Sequence, residues 1–132
     1  MLAEDDEDDR MFFETFLVER KNIHLLLSVG DGAELIEALQ KPGQLNLLPD
    51  IIILDHNMPR MNGLETLQVL KASERYAGIP VIIYSTYIHE HLIDSCLKSG
   101  ASLVLEKPDG KAGYLLMMDK MVGVLNQQEL YK

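Results

Sequence analysis

The sequence predicts a doubly wound α/β fold: five parallel strands with helices on both faces. Two observations predict it. Short apolar runs alternate with stretches of helical periodicity along the 132 residues, as repeated βα units require. The runs are also β-branched or aliphatic at consecutive positions, which suits strands covered on both sides.

In chain order, Met1-Leu2-Ala3 reads as the tail of a first strand. Phe12, Phe13, Phe16 and Leu17 then line one face of a helix. Leu25 to Val29 is the second strand, and a short helix covers Ala33 to Leu39 before Lys41-Pro42-Gly43. Ile51 to Leu54 is the third strand, followed after Asn62-Gly63 by a helix built on Leu64, Leu67 and Leu70. Val81 to Tyr84 is the fourth. Its helix carries Leu92, Ile93, Cys96 and Leu97 and stops at Ser99-Gly100. Leu103 to Leu105 is the fifth strand, and Leu115, Met118, Val122 and Leu125 have the spacing of a last helix. With no repeats and no low-complexity linker, residues 1–132 read as a single domain with a tail at 126–132.

Composition narrows the function classes. A hydrophobic fraction of 47% supports a core without disulfides. No apolar run approaches the roughly 20 residues of a membrane span, and no signal peptide is evident. The lone Cys96 fits a reducing cytosol, so a cytoplasmic location away from membranes is expected. A formal charge of −9 argues against direct contact with nucleic acid. The acidity is concentrated in Glu4-Asp5-Asp6-Glu7-Asp8-Asp9. Such a run is usually a solvated surface, but this one directly follows a strand.

Ligands of open parallel sheets bind at the carboxyl ends of the strands, near the point where strand order reverses. Glu4 and Asp5 follow the first strand, Asp55 the third, Ser85 the fourth and Lys107 the fifth. Three carboxylates, a hydroxyl and an ammonium therefore converge on one edge. Like charges about 4 Å apart repel by roughly 4 kcal/mol at an effective dielectric near 20, so a carboxyl takes up a proton or a cation sits among them. Oxygen ligands with spare positions suit Mg²⁺. A carboxylate beside such a metal, a hydroxyl and an ammonium can accept a phosphoryl group as an aspartyl phosphate. Each residue also has a plainer reading. Asp55 could cap a turn before Met58-Pro59, Ser85 could satisfy backbone groups, and Lys107 could be a surface lysine. Asp8 and Asp9 read as helix N-terminal charges.

The stretch Ile51-Ile52-Ile53-Leu54-Asp55-His56-Asn57-Met58-Pro59-Arg60-Met61-Asn62-Gly63 resembles the signature of response regulator receiver domains in two-component systems, including the stand-alone chemotaxis type. Ala3-Glu4-Asp5-Asp6, Pro80 to Ser85, Gly100-Ala101-Ser102 and Lys107-Pro108 resemble further parts of that family, so the resemblance reaches about Leu125. It implies a flavodoxin-like fold, with the strands in the order 2-1-3-4-5, and a set of roles. Asp55 is the implied phosphorylation site. The implied metal ligands are Asp5, Asp55 and the carbonyl of Asn57, with Glu4 acting through water. Ser85 and Lys107 contact the phosphoryl group, and the Lys107–Pro108 bond is cis. The implied donor is a histidine kinase or phosphotransfer protein. A downstream protein target is expected on the face of the fourth helix, fifth strand and fifth helix.

Three positions depart from the family pattern. Only three residues precede Glu4, so a truncated central strand with reduced stability is expected. Val104 stands where an aromatic residue is frequent, and Asp109 follows Lys107-Pro108 where an apolar one is common. Among the remaining polar and sulfur-bearing residues, His56 is expected to face solvent, and His89 and His91, two apart, to occupy the exposed start of the fourth helix rather than a zinc site. Met117, Met118 and Met121 read as packing residues and Cys96 as buried and inert.

The leading function is a phosphorylation-driven binding module, not an enzyme in its own right, although it assists its own phosphoryl transfer and dephosphorylation. A magnesium-dependent phosphatase of similar architecture is the rival. Such enzymes carry an acid-base Asp two residues after the nucleophile, where this sequence has Asn57. An unphosphorylated scaffold is the third reading, disfavoured by the intact set of site residues.

Overall fold

The computed structural model describes the backbone of residues 1–41 and 48–130 and the side chains of 1–41 and 48–127. Five strands, β1 (Leu2–Ala3), β2 (Ser28–Val29), β3 (Ile52–Asp55), β4 (Val81–Ser85) and β5 (Leu103–Glu106), form one sheet in the order β2-β1-β3-β4-β5. Every pairing is parallel. Five helices alternate with the strands: α1 (Glu7–Leu17), α2 (Gly32–Gln40), α3 (Gly63–Ala72), α4 (Glu90–Lys98) and α5 (Gly110–Leu130).

The consecutive apolar residues of the strands divide between two cores, because successive side chains point to opposite faces. Ala3, Ile52, Leu54, Val81 and Ile83 pack with Leu35 and Leu39 of α2, Leu67 and Leu70 of α3, and Leu92 and Cys96 of α4. Leu2, Ile53, Ile82 and Tyr84 pack on the other face with Phe13 and Leu17 of α1 and Tyr114, Met117, Met118 and Met121 of α5. The three methionines are core residues, as the sequence indicated.

Several elements differ from expectation. The second strand is two residues long rather than five, because β1 offers it only Leu2 and Ala3 as ladder partners. The last helix buries Tyr114, Met117, Met118 and Met121, whereas Leu115 and Val122 of the expected stripe are half-buried. The helix continues to Leu130, into the segment read as a tail. Phe12 is exposed and stacks on Phe16 with ring centroids 6.2 Å apart. The Pro42-Gly43 stop and residues 131–132 lie outside the described residues.

Side chains set the helix starts at the strand ends. Asp6 caps α1 by accepting from the Asp9 amide, and Asp31 caps α2 by accepting from the Glu34 amide. Asn62 and Glu65 form a reciprocal capping box on α3. Gly63, the first residue of α3, lies so close to β3 that a Cβ there would stand 2.8 Å from the Asp55 carbonyl oxygen and 2.9 Å from the His56 Cα. The helix can therefore begin directly against the strand that carries Asp55.

Candidate functional site

At the carboxyl edge of the sheet, β1 runs into Glu4 and Asp5, while β3 ends on Asp55. Glu4 and Asp55 are buried and Asp5 is exposed. One carboxylate oxygen from each lies within 4.8 Å of the other two. Burial, reinforced by hydrogen bonding and charge from Glu4 and by hydrogen bonding with Asp5, pushes the Asp55 carboxyl up to about 9 against the pull of Lys107. A carboxyl held that high in an all-oxygen cluster invites a proton or a hard divalent cation. The donor set fits such an ion.

Lys107 enters the cluster from the end of β5. Its Nζ lies 2.9 Å from Asp9 Oδ2, 3.0 Å from Glu4 Oε1 and 3.4 Å from Asp55 Oδ2. Burial disfavours this ammonium, but hydrogen bonds to Asp9 and Glu4 and the charges of Asp55 and Glu4 prevail and hold its pKa above the ordinary lysine value. The backbone reinforces the placement, since the Lys107 amide donates to the Ser85 carbonyl at 2.8 Å.

Ser85, fully buried at the end of β4, donates from Oγ to the Tyr87 carbonyl at 3.1 Å and accepts from Asn57 Nδ2 at 3.3 Å. The Asn57 backbone N–H donates to Asp55 Oδ1 at 3.2 Å. Glu4, Asp5, Asp55, Ser85 and Lys107 thus gather at one sheet edge, as their places after the strands anticipated, and Asn57, which only the family resemblance named, links Asp55 to Ser85.

Other details overturn or extend the sequence reading. The Lys107–Pro108 bond is trans, not cis, and Gly110, which opens α5, has a φ of +79°. Asp9 does more than complement the α1 dipole, because it is a direct partner of Lys107. Glu4 is tied into the protein, taking the Tyr84 hydroxyl at 2.6 Å on one oxygen and the Asp6 amide at 3.2 Å on the other. A buried carboxylate needs donors, and a tyrosine next to the strand-end serine was the one available signal for this pair. Val104 packs against the core on the α2–α4 side.

The histidines also have defined places. His56 is half-buried, not solvent-facing, with Nδ1 lacking a partner; burial and nearby His89 hold its pKa below the ordinary imidazole value. His89 is the N-cap of α4, accepting the Leu92 amide on Nδ1 at 3.2 Å, and His91 stacks on it.

Comparison with known proteins agrees with this geometry. The family model described as "Response regulator receiver domain" matches residues 1–119. Over 112 residues the chain is 32% identical to the protein-glutamate methylesterase/protein-glutamine glutaminase of Bacillus subtilis (strain 168), covering 83% of this chain and 29% of that protein. It is 28% identical over 108 residues to hybrid signal transduction histidine kinase D of Dictyostelium discoideum, covering 82% of this chain and 6% of that one. The chain therefore spans less than a third of either relative's length. Among solved structures, the phosphorylated cyanobacterial phytochrome response regulator RcpA superposes with a TM-score of 0.79 at 26% identity, over 91% of this chain and 87% of that one. The Mn(2+)-bound form of response regulator Rcp1 gives 0.76 at 25% identity, over 87% and 85%.

Proposed function

The chain belongs to the response regulator receiver domain family, and on that premise we propose that it accepts a phosphoryl group on Asp55 and signals through protein contacts. The observation that carries the reading is the placement of a buried Asp55 carboxylate among Glu4, Asp5 and the Lys107 ammonium, 3.4 Å away. One Asp55 oxygen attacks the phosphorus of a phosphohistidine. The new O–P bond forms as the N–P bond breaks, and the bonding pair leaves with the imidazole nitrogen. The donor is a histidine kinase or a phosphotransfer protein, a role supported by the hybrid kinase among the relatives.

Asp5, Asp55 and the Asn57 carbonyl would hold Mg²⁺, with Glu4 beside them; the carboxylate set and the manganese-bound form of Rcp1 support a divalent ion. When bound, that ion supplies charge neutralisation for the phosphoryl oxygens. The chain's own residues do the rest. Lys107 exchanges a carboxylate partner for a phosphoryl oxygen, which is stabilising because both charges are partly screened from water. Ser85 turns its hydroxyl from the Tyr87 carbonyl to the phosphoryl group, and the β4–α4 loop loses that tether. This couples chemistry at Asp55 to the β4–α4 loop and to the face of α4, β5 and α5; Tyr87 in that loop, Leu97 of α4 and Leu116 of α5 are exposed apolar residues. A population shift between two states of that face is the signal.

The domain is thereby a signalling module rather than a turnover enzyme. Asn57 donates to Ser85 where a phosphatase of this architecture would place an acid-base carboxylate. Operation in the cytoplasm accords with the single buried cysteine and with the fact that no helix among the described residues is long and apolar enough to cross a membrane. The test is binding of beryllofluoride with Mg²⁺, followed by amide NMR. Wild type is expected to bind with shifts at Ser85 and Lys107, and Asp55→Ala not to bind; equal binding by both removes the proposal.

A further inference from the structure

Tyr84 is the residue of β4 immediately before Ser85. Its ring is fully buried in the α1–α5 core, yet its hydroxyl reaches the acidic cluster and donates to Glu4 Oε1 at 2.6 Å. That same oxygen takes the Lys107 ammonium at 3.0 Å, and Lys107 Nζ sits over the Tyr84 ring, 5.3 Å from its centroid. Glu4 itself has no exposed surface. Its second oxygen holds the Asp6 amide at 3.2 Å.

These contacts give Tyr84 a task distinct from packing. In the resting arrangement Glu4 Oε1 has two donors, Tyr84 and Lys107. When a divalent cation entering the cluster repels the Lys107 ammonium, or a phosphoryl oxygen engages it, Tyr84 remains as the side-chain donor to Glu4 Oε1, and it is fixed by the core around its ring. A buried carboxylate that keeps one short hydrogen bond keeps its orientation; one that loses both is free to rotate or to take a proton, and either change weakens its hold on a cation. Outer hydrogen bonds of this kind fix the direction of groups around a metal and are costly to remove.

Resting on the reading of Glu4, Asp5 and Asp55 as a divalent-cation pocket, we infer that Tyr84 is a positioning residue of that pocket, acting through Glu4 to hold it in its metal-binding form. Because Tyr84 and Ser85 are neighbours on one strand, the hydroxyl that holds Glu4 and the hydroxyl that meets the phosphoryl group move with the same backbone.

The test is titration of the full chain with Mn²⁺, reading free ion by electron paramagnetic resonance. Tyr84→Phe keeps the ring and is expected to weaken Mn²⁺ binding roughly tenfold. Tyr76→Phe is the matched control, because it also loses one buried hydroxyl bond, to the Leu39 carbonyl at 3.1 Å, but on the other side of the sheet. It is expected to lower the unfolding midpoint while leaving Mn²⁺ affinity unchanged. In a Glu4→Gln background, Tyr84→Phe is expected to have no further effect on affinity, since its action runs through that carboxylate. Wild-type affinity in Tyr84→Phe, or an equal loss with and without Glu4→Gln, overturns the inference while leaving the pocket intact. Failure of wild type itself to bind Mn²⁺ saturably overturns the pocket and the inference together.

Discussion

Lys107 and Asp9, 98 residues apart in sequence, are joined at 2.9 Å across the mouth of the site. The ammonium that a phosphoryl group would engage is thus already held by a helix-borne carboxylate as well as by Glu4 and Asp55. Asp9 holds Lys107 at the edge of the cluster without blocking Asp5, which stays exposed.

Removing that ammonium leaves several carboxylates facing one another. Lys107→Met is expected to cost about 3 kcal/mol, at the low end for a broken buried ion pair because Asp9 is partly solvated. Urea unfolding with and without Mg²⁺ checks this. The cation is expected to restore more stability to the variant than it adds to wild type. An equal response in the two proteins argues against a shared site for lysine and metal.

Gly63 sets the distance between α3 and the acceptor strand. A methyl group there meets backbone atoms of Asp55 and His56, which cannot swing aside as a side chain could. Gly63→Ala is expected to destabilise the fold by about 1–3 kcal/mol and to slow phosphorylation by acetyl phosphate, measured by intact mass at matched folded fraction. An unchanged rate places the tight contact outside the chemistry.

The parallel strands and the strand-end residues of the site were legible because both follow from local patterns, whereas the strand order and Asn57 came from the family resemblance. Consecutive apolar residues such as Ile51 to Leu54 specify buried parallel strands, and a parallel sheet gathers its strand ends. What the sequence concealed depends on reach across space. Asp9 looked like a helix-end charge because nothing local reveals that Lys107 arrives beside it. Tyr84 looked like a strand residue because its polar tip matters only opposite buried Glu4. The length of β2 was hidden for the same reason, being set by the two residues of β1 that it pairs with.

Arg60, in the left-handed region with φ 61°, closes on Asp31 with Nε and Nη2 at 2.9 and 3.1 Å. Burial opposes the Asp31 carboxylate, but hydrogen bonds and charge from Arg60 and amides from Glu34 and Ala33 hold its pKa below the usual 3.8. A depressed carboxyl stabilises the fold above its unfolded value and loses that contribution as pH falls through the folded one. Asp31→Asn keeps the helix cap and removes the charge. Its deficit relative to wild type is expected in full at neutral pH and to shrink below pH 3.8. Chemical denaturation across that range measures it, and a deficit independent of pH contradicts the assignment.

Cys96 is fully buried in α4, and burial pushes its thiol up. It is expected to resist Ellman's reagent in the native protein at mildly alkaline pH and to react fully in denaturant. Rapid native labelling contradicts the packing of α4 on the sheet.

Intact-mass spectrometry after incubation with acetyl phosphate and Mg²⁺ tests the phosphoacceptor role most directly. Wild type is expected to gain the mass of one phosphoryl group, labile to hydroxylamine as an acyl phosphate, and Asp55→Asn none. No gain by wild type, or an equal gain by the variant, contradicts the role assigned to Asp55.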